Sequence, residues 1–271
     1  MQQRMSPMAD SWPQVTDPED PRLAALVDLP TRRGGSRGPL VAEGAIVVQR
    51  ALAGPCAVML VVGTASQLAR LERGDLPEQV LEASAAMLSE VMGFDFHRGV
   101  VALVERPPRC PPQVEAVLAR ETWTALLVER LADPANVGAI VRTAAALGTD
   151  LVVCDAAGAD PYTRRALRAS MGHALVALPW VCDDLRGVVR RMQDAGATVL
   201  AATLDARSAD VATVRRPAKL GLVVGNEGQG ITPSLVALCD GGVMVPVAPG
   251  TDSLNVAAAT AILLHSLRPR E

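Results

Sequence analysis

The sequence predicts an α/β protein in two parts: a compact α/β domain over residues 20–105 and a mostly parallel-sheet domain over residues 122–271. Three observations carry this reading. Through the second half, apolar runs of strand length alternate with stretches of helix length across short connections, the pattern of a parallel sheet covered on both faces. Between the halves, Arg106-Pro107-Pro108-Arg109-Cys110-Pro111-Pro112 has four prolines in seven residues, which makes 106–121 a stiff, extended linker. Of the 271 residues, 49% are hydrophobic and 20% charged, a globular composition long enough for two modest domains.

In chain order, residues 1–19 hold Pro13, Pro18 and scattered polar side chains and read as a disordered lead. A short helix is expected over 22–27, a breaker over 30–39, and an amphipathic helix over 40–52. A strand at 57–62, helices at 65–73 and 77–92, and a strand at 99–104 complete the first domain. In the second, strands are expected at 124–129, 151–155, 198–202, 220–224 and 243–247. Helices fill the gaps: one running to Gly148, one around 162–169, one over 185–195, one opening at Thr232-Pro233, and a last one over 253–267.

Composition excludes several functions. Aromatic residues are 2% and net charge is −3, so neither rows of stacking platforms nor a global basic field is present, and nucleic-acid contact would rest on local patches. Of 26 basic residues only Lys219 is lysine, and it follows no glycine loop, which removes a P-loop and makes a Schiff-base enzyme a poor choice. Five widely spaced cysteines contain no C-x-x-C pair, and His97, His173 and His265 have no partner at ligand spacing. Reduced thiols, a cytoplasmic location and no metal are expected. No apolar run reaches the ~18 residues of a membrane span.

In such a sheet, ligands bind beyond the carboxyl ends of strands, and three segments there stand out. In Asp133-Pro134-Ala135-Asn136-Val137-Gly138-Ala139-Ile140-Val141-Arg142, Asn136 is placed to cap a helix, and Gly138 shares a helix face with Arg142 and leaves room beside it. An arginine inside an otherwise apolar helix is either buried with a partner or snorkelling. Gly225-Asn226-Glu227-Gly228-Gln229-Gly230 follows an apolar strand and frees backbone N–H groups for a ligand. Its spacing is not the dinucleotide fingerprint, which disfavours an oxidoreductase. A tight turn, with Thr232 and Pro233 opening the next helix, explains the glycines but not Glu227. In the third segment, Val245 through Ala257, Ser253 can cap the final helix, leaving Asn255 unexplained.

Together, Asn136-x-Gly-x-x-x-Arg142, Gly225-Asn-Glu-Gly-x-Gly230 and Pro246-x-x-x-x-x-x-Ser253-Leu-Asn-Val256 closely resemble the three motifs of the SpoU (TrmH-type) RNA 2′-O-methyltransferases of the SPOUT superfamily. Arg168-Ala-Ser-Met-Gly172 resembles a fourth segment, and Val41-Ala-Glu43-Gly44 is similar to the ribosomal-protein-L30e-type substrate-binding domain that precedes many members. The resemblance implies a C-terminal trefoil knot, a homodimer, and S-adenosylmethionine held by Thr203, Leu204, Gly225, Asn226, Gly228, Val245, Pro246 and Leu254. It places Asn136, Arg142, Glu227, Ser253 and Asn255 in the polar constellation of the reaction. Family practice makes Arg142 the general base; a guanidinium that never releases its proton fits phosphate and oxyanion contact better. In that reading Glu227 fixes Arg142 or Asn136. Beside such a site, Arg32, Arg33 and Arg37, and Arg164, Arg165 and Arg168, become RNA contacts. The favoured function is ribose 2′-O-methylation of structured RNA, ribosomal over transfer; the alternative is a non-catalytic RNA-binding or ribosome-assembly protein that keeps the fold.

Overall fold

In the computed structural model, which describes residues 12–27, 38–72, 76–250 and 252–269, the chain divides into two units. One is Met1–Ala53 with Ala57–Glu105, the other Gly54–Cys56 with Arg106–Glu271.

The first unit is built from β1 (Leu40–Glu43), α1 (Ala45–Ala53), β2 (Val58–Gly63), α2 (Ala65–Leu68), β3 (Val80–Glu82), α3 (Ala85–Met92) and β4 (Val100–Val104). Its sheet runs β1-β4-β2-β3, antiparallel at β1/β4 and β4/β2 and parallel at β2/β3. Residues 40–43, expected as the start of a helix, are strand. Gly44, at φ +87°, ends the strand and donates its N–H to the Val100 carbonyl at 2.9 Å, and the buried β1 residues pair with β4. The helix expected over 77–92 splits the same way: β3 pairs with β2, and Ser84 caps α3 by accepting the Met87 N–H at 3.1 Å. In both places long-range pairing overrides local periodicity.

The N-terminal lead, expected as disordered over 1–19, is ordered where it is described. Val15 donates to the Glu82 carbonyl and Glu82 to the Pro13 carbonyl, each at 2.9 Å, and Val15 is buried among Leu23, Leu81 and Val91. The helix expected over 22–27 is a 3₁₀ turn, Pro21–Leu23, capped by Asp20. Arg32, Arg33 and Arg37 lie outside the described residues.

The second unit contains α4 (Val114–Leu118), β5 (Trp123–Val128), α5 (Pro134–Ala146), β6 (Leu151–Asp155), α6 (Arg164–Ala169), α7 (Ala174–Ala177) and β7 (Trp180–Cys182). There follow α8 (Leu185–Asp194), β8 (Thr198–Ala202), β9 (Ala209–Asp210), β10 (Lys219–Val224), α9 (Pro233–Val236), β11 (Gly241–Met244) and α10 (Val256–Ser266). The stretch 106–121 is not wholly an extended linker: Val114, Val117 and Leu118 of α4 are buried in the core with Trp123, and the Arg109 carbonyl accepts the Val181 N–H at 2.8 Å.

Seven strands form one sheet in the order β7-β6-β5-β10-β8-β11-β9, and every pairing is parallel. The apolar runs of β5 and β10 are buried along their length, as strands covered on both faces require. The chain builds outward from β5 through β6 to β7, then later inserts β10 between β5 and β8. The connections leaving β5 and β10 therefore emerge side by side. Such a reversal of strand order opens a crevice at the carboxyl ends of the strands.

Candidate active site

A cleft of about 480 Å³ lies at the same carboxyl edge of the sheet, lined by the ends of β8, β10 and β11 and the start of α10. Its floor and walls include Thr203, Leu204, Gly225, Asn226, Glu227, Gly228, Val245, Ser253, Leu254 and Asn255. Seven of the eight residues expected to hold the cofactor line it; the eighth, Pro246, is exposed and lies between the lining residues Val245 and Val247. Apolar Met244, Val247, Ala259 and Leu263 also line the cleft. No local signal marks them, because an apolar lining residue reads like any core residue.

The glycine loop after β10 folds back on itself. Asn226 and Gly230 exchange backbone hydrogen bonds at 3.0 and 2.8 Å, and the Asn226 carboxamide oxygen accepts from Gly228 and Gln229 at 2.9 and 3.0 Å. A Cβ on Gly225 would collide with the backbone of Gly230 and Ile231, so only glycine closes this turn. Beneath it, buried Glu129 accepts both the backbone N–H and the hydroxyl of Thr232, each at 2.7 Å. Thr232 is the N-cap of α9, as expected, but its hydroxyl serves Glu129 rather than the helix.

Three loops meet through side chains. Glu227 accepts from the Asn136 amide at 2.9 Å and from the backbone N–H groups of Ala132 and Asp133 at 3.2 and 3.4 Å. A carboxylate only accepts, so Asn136 must turn its amide nitrogen to Glu227 and its oxygen outward. That oxygen accepts from the Asn255 amide at 3.3 Å, while the Asn255 oxygen caps α10 by accepting from Ala257 and Ala258. Partial burial acts to raise the Glu227 pKa. The hydrogen bonds from Asn136 and from the Glu227, Ala132 and Asp133 backbone outweigh it and hold the carboxyl below its ordinary value.

Several expectations are corrected here. Asn136 does not cap α5: Asp133 does, accepting the Ala135 N–H at 2.9 Å, with Pro134 as the first helical residue. Asp followed by Pro is a start signal in its own right and could have been read. Asn255, not Ser253, caps α10; Ser253 lines the cleft and makes no hydrogen bond among the described residues. Gly138 makes room for α6 rather than for Arg142, since a Cβ there would collide with the Ala166 carbonyl and Ala169. Arg142 is exposed and, among the described residues, makes no hydrogen bond or ion pair, so of the two expected partners Glu227 holds Asn136 and not Arg142. Of the second arginine group, Arg165 is paired with Asp133 at 3.2 Å, and Arg164 and Arg168 are half-buried and engaged in contacts of their own.

A second cavity, of about 440 Å³, lies against the same glycine loop, lined by Arg130, Leu131, Ala132, 157–159, Asn226, Gln229, Gly230 and Thr232. Arg130 has φ +52°, a left-handed conformation that costs a residue with a Cβ roughly 1–2 kcal/mol. Asn226 donates to its carbonyl at 2.9 Å, and a Cβ on Gly158 would lie 3.1 Å from its Cα, so the backbone is clamped from both sides. No group of His, Cys, Asp and Glu among the described residues could hold a metal, and no described helix is long and apolar enough to cross a membrane.

A wholly parallel α/β unit, with a glycine loop at a strand-order reversal and three loops tied by Asn136, Glu227 and Asn255, defines a ligand-binding α/β domain. Residues 124–265 match the SpoU rRNA Methylase family. The chain is 36% identical over 262 residues to an uncharacterized tRNA/rRNA methyltransferase of Mycobacterium tuberculosis, covering 93% of this chain and 90% of that one. It is 34% identical to the 23S rRNA (uridine(2479)-2′-O)-methyltransferase of Streptomyces viridochromogenes over 63% of this chain and 60% of the relative. Among solved structures, the AdoMet-bound rRNA methyltransferase of Sinorhizobium meliloti superposes with TM-score 0.76 at 26% identity, over 94% of this chain and 96% of that one. The chain belongs to the SpoU rRNA methylase family.

Proposed function

We propose that this member of an RNA methyltransferase family transfers the methyl group of S-adenosylmethionine to a ribose 2′-hydroxyl of structured RNA, ribosomal RNA in preference to transfer RNA. The observation that carries the reading is the chain Glu227–Asn136–Asn255, which joins all three motif loops at the rim of the cleft. The described residues fit the cofactor: the cleft has the volume of a small-molecule site and combines apolar walls with a polar glycine loop. Bound S-adenosylmethionine supplies an electrophilic methyl group, and the protein's task is then geometry. Thr203, Leu204, Gly225, Asn226, Gly228, Val245, Pro246 and Leu254 would hold it.

Asn136, Ser253 and Asn255 orient the hydroxyl, with Glu227 positioning Asn136. Glu227 is a poor base, since both its oxygens already accept hydrogen bonds and its pKa is lowered. Arg142, exposed and without a partner among the described residues, is available for the phosphate beside the target ribose. Residues 20–105, read as an L30e-like domain, would choose the RNA. A homodimer is supported by apolar Leu254 and Ile262, 38% and 40% exposed at and beside α10. The preference for ribosomal RNA is supported by relatives named for 23S rRNA, and the five free thiols suit the cytoplasm.

Calorimetry with S-adenosylmethionine, followed by mapping of ribose methylation across total RNA from wild-type and deletion strains, tests the reading. Uptake of one cofactor per chain and loss of a 2′-O-methyl mark in ribosomal RNA are expected. No uptake, or an unchanged map, would overturn it.

A further inference from the structure

We propose that the cavity beside Arg130 is a second RNA subsite, in which the Arg130 guanidinium binds the phosphate of a nucleotide near the methylated ribose. The inference rests on the RNA methyltransferase reading of the adjoining cleft.

Asn226, Gln229 and Gly230 line both cavities, so the two sites share one wall, the glycine loop. The floor on the Arg130 side is Ala132, Ala157, Gly158 and Ala159, whose short side chains expose backbone and leave room for a flat or branched ligand. Arg130 is exposed and, among the described residues, has no hydrogen-bond or ion-pair partner for its side chain.

Among the described residues no nearby carboxylate makes an ion pair with it, and Asp155, two residues before Ala157, accepts the Ala157 N–H at 2.9 Å. Glu129 accepts from Thr232, Glu227 from Asn136, Asp133 pairs with Arg165, and Asp160 pairs with Arg106 at 3.0 Å. An arginine held in a left-handed backbone at the lining of a cavity, with no carboxylate paired to it among the described residues, keeps its guanidinium free for whatever enters. Phosphate is the ligand its planar fork matches best. Folding alone gives no reason for this side chain, because glycine would adopt φ +52° without strain.

That last point supplies the test. In the full chain, Arg130→Gly removes the side chain while relaxing the backbone, and Arg130→Asn, which also tolerates φ > 0, is the second variant should the first misfold. Binding of a fluorescein-labelled, mixed-sequence single-stranded RNA 12-mer is measured by anisotropy between 50 and 200 mM KCl, alongside calorimetry with S-adenosylmethionine and thermal unfolding. The expected result is RNA affinity about tenfold weaker at low salt. The slope of log K against log[salt] should be shallower by about 0.7, the loss of one phosphate contact. Cofactor affinity and unfolding temperature should be maintained. A folded variant with wild-type RNA affinity and salt slope would overturn the subsite and leave the functional reading intact. A wild-type chain that binds total ribosomal RNA but not the 12-mer would overturn the subsite alone, and one that binds neither would overturn both.

Discussion

The two loops that face each other across the cleft are built in opposite ways. The β10–α9 loop is cross-linked within itself: Asn226 spends every polar atom of its side chain on Arg130, Gly228 and Gln229, and Gly225 admits no side chain at all. Residues 245–250 and 252–254, on the other side, make no hydrogen bond among the described residues, and most of them are exposed. Side-chain hydrogen bonding on that wall enters at Asn255, which caps α10 and bonds to Asn136. One wall is therefore preorganised by the chain, and ligand contacts add most to the other.

The largest effect should come from breaking the rigid wall. Gly225→Ala places a Cβ against backbone that cannot swing aside, and we expect about 2–3 kcal/mol of destabilisation. Cofactor binding should fall at least a hundredfold. Calorimetry and thermal unfolding together check this; near-normal affinity would mean that the loop is not the cradle.

Arg142 lies on neither wall and separates chemistry from binding. Arg142→Ala and Arg142→Lys should each slow methyl transfer about a hundredfold, ~3 kcal/mol, with cofactor affinity unchanged. Lysine restores charge but not the planar fork. Activity of the lysine variant that climbs steeply at alkaline pH would instead make residue 142 a general base.

Asn226→Ala should be milder. It removes bonds worth about 1 kcal/mol each from a loop that Gly225 and the Asn226–Gly230 backbone pairing still shape, so cofactor affinity should weaken about tenfold. Smallest of all should be Gly250→Ala in the open loop. Gly250 has φ +83°, but nothing lies within 4 Å of a Cβ there, so only backbone strain of about 1 kcal/mol is at stake. A shift in affinity larger than that for Asn226→Ala would invert the comparison and make the open loop the specific one.

How much of this was legible depended on the range of the interactions involved. The strands at 151–155 and 198–202 agree with the sequence reading residue for residue, because a parallel sheet buried on both faces leaves an apolar run that only a strand of that length accommodates. The three motifs are short-range patterns and were readable for the same reason. Residues 40–43 and 80–82 carry helix-like periodicity, and their strand character comes from partners far along the chain. The roles within the site were the least legible. Asn136 looked like a cap and is a bridge, and Asn255 looked out of place in a first turn and is the cap.

Local pattern is enough for the alternation of strand and helix in the second unit, the family resemblance, and the residue types available to the site. These follow from composition and spacing over a few turns of chain. The folded chain alone shows that β10 enters between β5 and β8, that Gly138 serves the crossing of α6, and that among the described residues Arg130 and Arg142 have no ion pair while both oxygens of Glu227 accept hydrogen bonds. Strand order, helix crossing and charge pairing are each settled by residues tens of positions apart, and no local pattern records which of them will meet.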